Sequence, residues 1–94
     1  MKAPGTVAIL GLGEVGGALA SILAETTRVI AIDPADRKAK ARELGIDHYA
    51  APGIYLEAAE VILSAVTGEQ AVPAARVARP FLRAGAVYAD LNTA

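Results

Sequence analysis

The sequence predicts an α/β protein built on a doubly wound parallel sheet, and three observations carry that prediction. Short apolar segments alternate with segments of helical periodicity, which is typical of a parallel sheet covered on both faces. A glycine-rich turn follows the first apolar segment, and an aspartate ends the second. Right-handed crossovers between parallel strands then give the strand order 3-2-1-4-5 of a Rossmann-type fold.

The first strand and the first helix have the clearest patterns. Thr6–Leu10 is a short apolar run bounded by glycine on both sides, which predicts a buried strand. From Glu14 to Ala24 the apolar spacing changes to that of a helix. Apolar residues on one side of that helix predict the face that packs on the sheet, namely Val15, Leu19, Ile22 and Leu23.

The second strand, Arg28–Ile32, is stopped by Asp33-Pro34. Because proline's missing N–H costs nothing in the first turn of a helix, Pro34 suits the start of the next helix. That helix is predicted to run through the charged segment from Asp36 to Leu44. It is predicted to end at Gly45, since glycine commonly follows the last helical residue.

The rest of the chain continues the alternation of strands and helices. The predicted elements are a brief strand within residues 46–50, a helical turn near Ile54–Ala59, a strand over Val61–Val66, a helix from Glu69 to Arg79 and a last strand over Ala86–Asp90. Pro80 ends the long helix, whereas Pro73 is tolerable only within its first turn. A complete dinucleotide-binding fold has a sixth strand. Residues 1–94 are therefore expected to be a single domain, truncated before that strand and a substrate domain, at the N-terminal end of a longer enzyme.

Composition and charge exclude several classes of partner. Hydrophobic residues are 54% of the chain and aromatic residues 4%, so the core must be aliphatic. The formal net charge is −1, which does not fit the basic surface that nucleic acids require. The chain has no cysteine and no metal-ligand spacing, so no metal site is expected. No apolar run approaches membrane-spanning length and no secretory signal is visible, which favours a cytoplasmic protein without a membrane partner.

The glycine-rich turn is the most informative motif in the chain. It follows a predicted strand directly, opens an amphipathic helix and is followed by an acidic residue at the end of the next strand, the context that a dinucleotide-binding fingerprint demands. Its first glycine allows the tight turn, its second lets a pyrophosphate approach the backbone, and its third lets the helix pack closely. The helix N-terminus would bind the phosphates. The predicted cofactor-binding residues here are Gly11, Leu12, Gly13, Glu14, Val15 and Gly16. A tight turn without a ligand is the alternative.

Asp33 has the position expected of a carboxylate that binds the adenosine ribose. Its charge would repel a 2′-phosphate, so the predicted cofactor is NAD, with NADP as the alternative. Asp33 could instead cap the next helix, a role that aspartate fills well. Arg37, Lys38 and Lys40 could reach a 2′-phosphate, although a solvated helix face is the simpler interpretation.

Polar groups follow the last two strands, at the edge where ligands bind in open α/β sheets. Val66 and Thr67 are predicted to lie beside the nicotinamide half of the cofactor, as are Asn92 and Thr93. Thr67 could equally be the N-cap of the following helix, and the last segment could be a polar turn. His48 is predicted to lie at the surface. No nucleophile–base pair is visible, so no catalytic residue is assigned in this chain.

Three segments together resemble the N-terminal NAD(P)-binding domain of the β-hydroxyacid dehydrogenases, which include 6-phosphogluconate and 3-hydroxyisobutyrate dehydrogenases. The segments are Ile9–Gly16, Ala59–Val66 and Tyr88–Ala94. The resemblance implies an oxidoreductase that binds a nicotinamide dinucleotide and oxidises a hydroxyl of a small β-hydroxyacid. It also implies a catalytic lysine beyond this domain, so the chain alone is expected to bind cofactor without turnover. Many members carry Asn-Arg and use NADP where this chain has Asp33-Pro34, a departure that favours NAD.

Other interpretations stay open at this point. Gly16–Ala20 is also similar to the prephenate dehydrogenases. A stand-alone NAD(H)-binding regulatory module and a ligand-free α/β interaction domain are the alternatives from other functional classes. A chain of 94 residues buries a modest share of its surface, so a partner subunit, as in a homodimer, would add stability.

Overall fold

The computed structural model describes residues 5–91, in which five parallel strands form one sheet of order β3-β2-β1-β4-β5. The strands are β1 (Thr6–Leu10), β2 (Arg28–Ile32), β3 (Asp47–Tyr49), β4 (Val61–Ser64) and β5 (Val87–Asp90). The predicted α/β class and strand order are confirmed. The predicted strand positions are confirmed as well, with β4 ending at Ser64 rather than Val66.

Three helices connect these strands: α1 (Glu14–Leu23), α2 (Lys38–Leu44) and α3 (Gly68–Ala78). Two short 3₁₀ turns, Ile54–Ala58 and Arg79–Phe81, precede β4 and follow α3. Gly45 ends α2 in the left-handed conformation (φ 71°), as its residue type predicts. None of the helices within residues 5–91 has both the length and the apolar character needed to cross a membrane.

The predicted start of α2 is wrong. The helix begins at Lys38 rather than near Asp36, and Pro34 lies outside it. The Asp36 carboxylate accepts a hydrogen bond from the Lys38 N–H (3.0 Å), a local turn that competes with helix formation. The loop between β2 and α2 is therefore longer than predicted. Arg37 is the last residue of this loop and lies near the carboxyl end of β2.

Apolar layers cover both faces of the sheet. On one face, Ala20 of α1 and Ala41 of α2 pack with alternate residues of β1 and β2, including Ile9 and Val29. The opposite face contains a second cluster with Leu56, Ile62 and Ala78 of α3, among others. Because side chains alternate across a strand, each central strand supplies both layers.

Helix α1 packs on the sheet with only part of the face that its apolar spacing predicts. Leu19 and Leu23 are half-buried against the apolar layer, as predicted. Val15 and Ile22 are 59% and 66% exposed. The buried residues are Gly16, Gly17 and Ala20. Gly16 is small because the helix lies close to the end of β1 there, and a Cβ would meet the Gly11 carbonyl and the Ile9 side chain.

The turn before α1 depends on two of its glycines. Gly11 has a φ of 89°, in the left-handed region that favours glycine. A Cβ added at Gly16 would clash with the Gly11 carbonyl oxygen. That carbonyl belongs to the backbone and cannot move aside cheaply, so glycine at position 16 is a packing requirement.

Pro73 lies in the interior of α3, so the prediction that it must lie in the first turn of that helix is wrong. Its ring removes the hydrogen bond that Glu69 C=O would otherwise accept. Glu69 is exposed, so solvent reaches this part of the helix. The cost of the missing bond is lower there than in a buried helix, and Pro73 becomes part of a groove wall.

The registers bring three strand ends to one edge. Leu10 pairs with Ile32 of β2 and with Ser64 of β4. The residues that follow these strands, Gly11, Asp33 and Ala65, are therefore neighbours. All candidate site residues described below lie at or near this edge.

Candidate functional site

A groove of about 530 Å³ runs along the carboxyl ends of β1, β2 and β4. This volume lies in the usual range for small-molecule and cofactor sites. Its floor includes Gly11, Gly13, Asp33, Val66 and Thr67, all predicted cofactor-binding residues. The remaining walls come from Arg37, from the loop after β3 (residues 50–52) and from α3.

Gly13 lies at the start of α1 and opens directly onto the groove. A Cβ added there would meet no atom within 4 Å. The first helical hydrogen bond runs from the Gly17 N–H to the Gly13 carbonyl (2.8 Å). N–H groups of a first helical turn have no partner within the helix, and together with the helix dipole they favour an anion. Open space in front of Gly13 therefore lies beside an anion-binding feature.

The other predicted residues of the turn have different surroundings. Leu12 is fully buried and packs in the apolar layer beneath α1. Glu14 and Val15 are exposed on the first turn of α1 and do not line the groove. Gly16 is buried against the Gly11 carbonyl. The turn thus brings Gly11 and Gly13 to the groove, while its other members hold the turn in place.

Asp33 ties the end of β2 to the glycine-rich turn. Its Oδ2 accepts a hydrogen bond from the buried Leu12 N–H (2.8 Å), and its Oδ1 accepts one from Ala35 N–H (2.9 Å). Arg37 Nε also lies 3.3 Å from Oδ2. The helix-cap alternative is not what the structure contains, because α2 begins five residues later and Asp33 bonds none of its N–H groups. The Asp33 side chain is only 11% exposed. Its carboxylate oxygens therefore accept hydrogen bonds mainly from groups of this chain.

The environment of Asp33 favours its ionised form. Burial acts to raise the pKa of this carboxyl, but the Leu12 and Ala35 N–H groups and the Arg37 guanidinium outweigh it, so the pKa lies below its ordinary value of 3.8. A negative charge is therefore present at neutral pH, and Arg37 lies beside it. The positive charge of Arg37 therefore reduces the repulsion between the Asp33 carboxylate and a 2′-phosphate.

Two further side chains join this corner of the groove. Arg37 lines the groove with 39% of its side chain exposed. His48 Nε2 lies 3.1 Å from the Asp33 carbonyl oxygen, and the residue is half-buried. The predicted surface location of His48 is thus only partly right, since its ring contacts the backbone of the β2 end.

Val66 and Thr67 lie where β4 leads into α3. Val66 is half-buried, and its Cγ1 would lie 3.1 Å from a Cβ added at Gly11. Thr67 has the N-cap position of α3, yet its side chain makes no capping hydrogen bond. Its hydroxyl is therefore not used by the helix, and the residue lines the groove. Asn92 and Thr93, the other predicted nicotinamide contacts, lie outside the described residues.

Lys40 makes contacts in this region that the sequence patterns did not predict. From α2 its ammonium donates to the Gly13 carbonyl (3.0 Å) and lies 3.3 Å from the Leu12 carbonyl. Neither a solvated helix face nor a 2′-phosphate contact describes this arrangement. Gly17 was the available signal, because the dinucleotide fingerprint does not require a second glycine there, whereas the Lys40 side chain occupies the space beside it.

The family described as "NADP oxidoreductase coenzyme F420-dependent" matches residues 6–90. That match supports an oxidoreductase of the NADP-dependent type, and it does not single out the β-hydroxyacid dehydrogenases that the sequence resembles. It also favours NADP where the sequence favoured NAD. Among curated proteins, none is significantly similar to this chain.

The solved structures that share the fold include the following two proteins. A conserved hypothetical protein from Sinorhizobium meliloti 1021 is 31% identical with a TM-score of 0.83, over 93% of this chain and 32% of its own. Plasmodium falciparum pyrroline carboxylate reductase, solved with NADP bound, is 16% identical with a TM-score of 0.73, over 93% of this chain and 33% of its own. The chain thus spans about a third of the length of each.

Asp33→Asn tests the tie between β2 and the glycine-rich turn. Loss of the charged acceptor should lower the free energy of unfolding by about 1–3 kcal/mol near neutral pH. Because folding lowers the pKa of Asp33, its contribution is present above the unfolded pKa and is lost as the pH falls through the folded one. The difference between parent and variant should therefore shrink below about pH 4.

Urea unfolding of both proteins at several pH values measures this difference. Asp36→Asn is the matched control, because Asp36 is exposed and its replacement keeps an oxygen for the Lys38 N–H. An equal effect of the two substitutions, or a loss independent of pH, would mean that the Asp33 charge does not hold the turn.

Proposed function

Because this chain belongs to the NADP oxidoreductase family described as coenzyme F420-dependent, we propose that it binds NADP(H) and forms the cofactor-binding part of an oxidoreductase. The observation that carries the proposal is the groove at the carboxyl ends of β1, β2 and β4, with the open position at Gly13 beside the first turn of α1. Dinucleotides bind at this edge of open α/β sheets.

The residues present fit the pyrophosphate. Gly13 leaves the space into which the phosphates would fit, and the N-terminal turn of α1 supplies N–H groups and a partial positive charge. The N–H of Leu12 is already committed to Asp33. Binding would therefore rely on the N–H groups that follow Leu12.

Arg37 is the residue proposed to select NADP(H) over NAD(H). It lines the groove beside Asp33, at the end of β2 where the adenosine ribose would lie. Asp33 keeps acceptor capacity on Oδ1 for a ribose hydroxyl, but its charge is already shared among Leu12, Ala35 and Arg37. An arginine can bind a phosphate through two parallel hydrogen bonds, which favours the 2′-phosphate form.

Toward the nicotinamide end, this chain supplies orientation rather than proton transfer. Bound NADP(H) would provide hydride transfer as its own chemistry. Val66 offers an apolar surface beside Gly11, and Thr67 offers a hydroxyl that the helix does not use. These two residues would fix the ring or its ribose against the sheet edge.

The substrate is proposed to be bound by residues beyond those of this chain, in a longer oxidoreductase. The chain spans about a third of the solved structures that share its fold, and its groove holds no nucleophile–base pair among the described residues. A small β-hydroxyacid is the substrate class implied by the resemblance of Tyr88–Ala94. That segment lies only partly within the described residues.

Gly13→Val tests the pyrophosphate site. The added side chain would fill open space, so the fold should persist, while NADPH binding should be lost because the phosphates can no longer approach the backbone. Circular dichroism monitors the fold, and nicotinamide fluorescence during titration with NADPH monitors binding. Ala18→Val adds a similar side chain to an exposed position on the same helix and should bind like the parent. Native binding by a folded Gly13→Val protein would rule out this site.

Arg37→Ala tests cofactor selection. Loss of a charge-assisted contact to the 2′-phosphate should weaken NADPH binding by about 10- to 100-fold. NADH affinity should change little, so the ratio of the two affinities is the measured quantity. Arg42→Ala removes the same charge from an exposed position on α2 and serves as the control. A parent that prefers NADH, or an Arg37 variant with an unchanged ratio, would refute Arg37 as the selecting residue.

A further inference from the structure

We propose that Lys40 is a positioning residue for the dinucleotide pyrophosphate, acting through the backbone of the glycine-rich turn rather than by touching the cofactor. This inference rests on the proposed dinucleotide binding. Lys40 lies on α2, on the face of the sheet opposite α3, and it does not line the groove. Its influence must therefore pass through the residues that it contacts.

The contacts of Lys40 are with two consecutive carbonyl groups. The ammonium lies 3.0 Å from the Gly13 oxygen and 3.3 Å from the Leu12 oxygen, across 27 and 28 residues of sequence. Both carbonyls belong to the segment that leads into α1. A charged donor makes these hydrogen bonds stronger than those between neutral groups.

The planar peptide group converts these contacts into an orientation of the N–H groups. In a trans peptide the C=O and the following N–H point in opposite directions. Holding the carbonyls of Leu12 and Gly13 toward Lys40 of α2 directs the N–H groups of Gly13 and Glu14 away from it. Of these two residues, Gly13 lines the groove. Lys40 thus orients two donors that a pyrophosphate would meet.

Gly17 makes room for this arrangement. A Cβ added at Gly17 would lie 2.6 Å from both Cε and Nζ of Lys40. The chain therefore carries a glycine in the interior of a helix, where alanine would be the better helix former. A methyl group at position 17 would require the flexible end of the Lys40 side chain to move, and with it the ammonium that contacts the turn.

The first test is the ligand dependence of Lys40→Ala. Affinity for NADPH, which carries the pyrophosphate, should fall by about tenfold. Affinity for 2′-AMP, which has no pyrophosphate, should stay within about twofold of the parent, since Lys40 does not touch the groove. Both are measured by calorimetry. The control Arg42→Ala removes a charge from an exposed position of the same helix and should leave both affinities unchanged.

The second test approaches the same contact from Gly17. Gly17→Ala should displace the Lys40 ammonium and weaken NADPH binding to a similar extent, although it favours the helix. In the Lys40→Ala background the methyl group has space, so the same substitution should raise thermal stability and cause no further loss of affinity. A double-mutant cycle measures this coupling.

The outcomes separate the two proposals. A parent chain that does not bind NADPH overturns the proposed function and this inference together. A parent that binds, with Lys40→Ala unchanged or with NADPH and 2′-AMP weakened equally, overturns the role of Lys40 alone. Additive losses for Gly17→Ala and Lys40→Ala would do the same.

Discussion

The hydrogen bond from the Leu12 N–H to the Asp33 carboxylate is the constraint on which the groove depends. It is buried, 2.8 Å long, and it joins two segments 21 residues apart. One partner belongs to the turn that leaves β1, and the other ends β2. A buried N–H without an acceptor would be costly, so the bond fixes the turn against the neighbouring strand and at the same time determines how Asp33 is used.

The turn is held from two further directions. Below it, Gly16 allows α1 to approach the Gly11 carbonyl. Beside it, Lys40 of α2 reaches the carbonyls at the start of the helix. A backbone fixed in this way loses little conformational freedom when a ligand binds, which lowers the entropic cost of binding. The open position at Gly13 is therefore a preorganised surface, and the same account explains why α1 has glycine at position 16.

Sequence patterns predicted the parallel sheet, its order and the position of the glycine-rich turn, because these depend on local periodicity and on general rules of chain crossover. For α1 they placed Leu19 and Leu23 against the sheet correctly but missed the exposure of Val15 and Ile22. Helical spacing carries no information about how closely the helix axis approaches the sheet. They also missed the turn that delays α2 and the reach of Lys40, because both are set by side-chain contacts with backbone groups. Asp33 was placed correctly, but its commitment to Leu12 required a structure.

The central claim is that the ordered glycine-rich turn and the adjoining end of β2 form the binding surface for NADP(H). Amide chemical-shift mapping by ¹H–¹⁵N NMR of the chain during titration with NADPH tests it most directly. The largest shifts should fall on the amides of Gly13 and Glu14, with further shifts at Arg37 and Thr67. Shifts concentrated instead around Phe81 and Arg83, which line a separate cavity, or no saturable shifts at all, would contradict the claim.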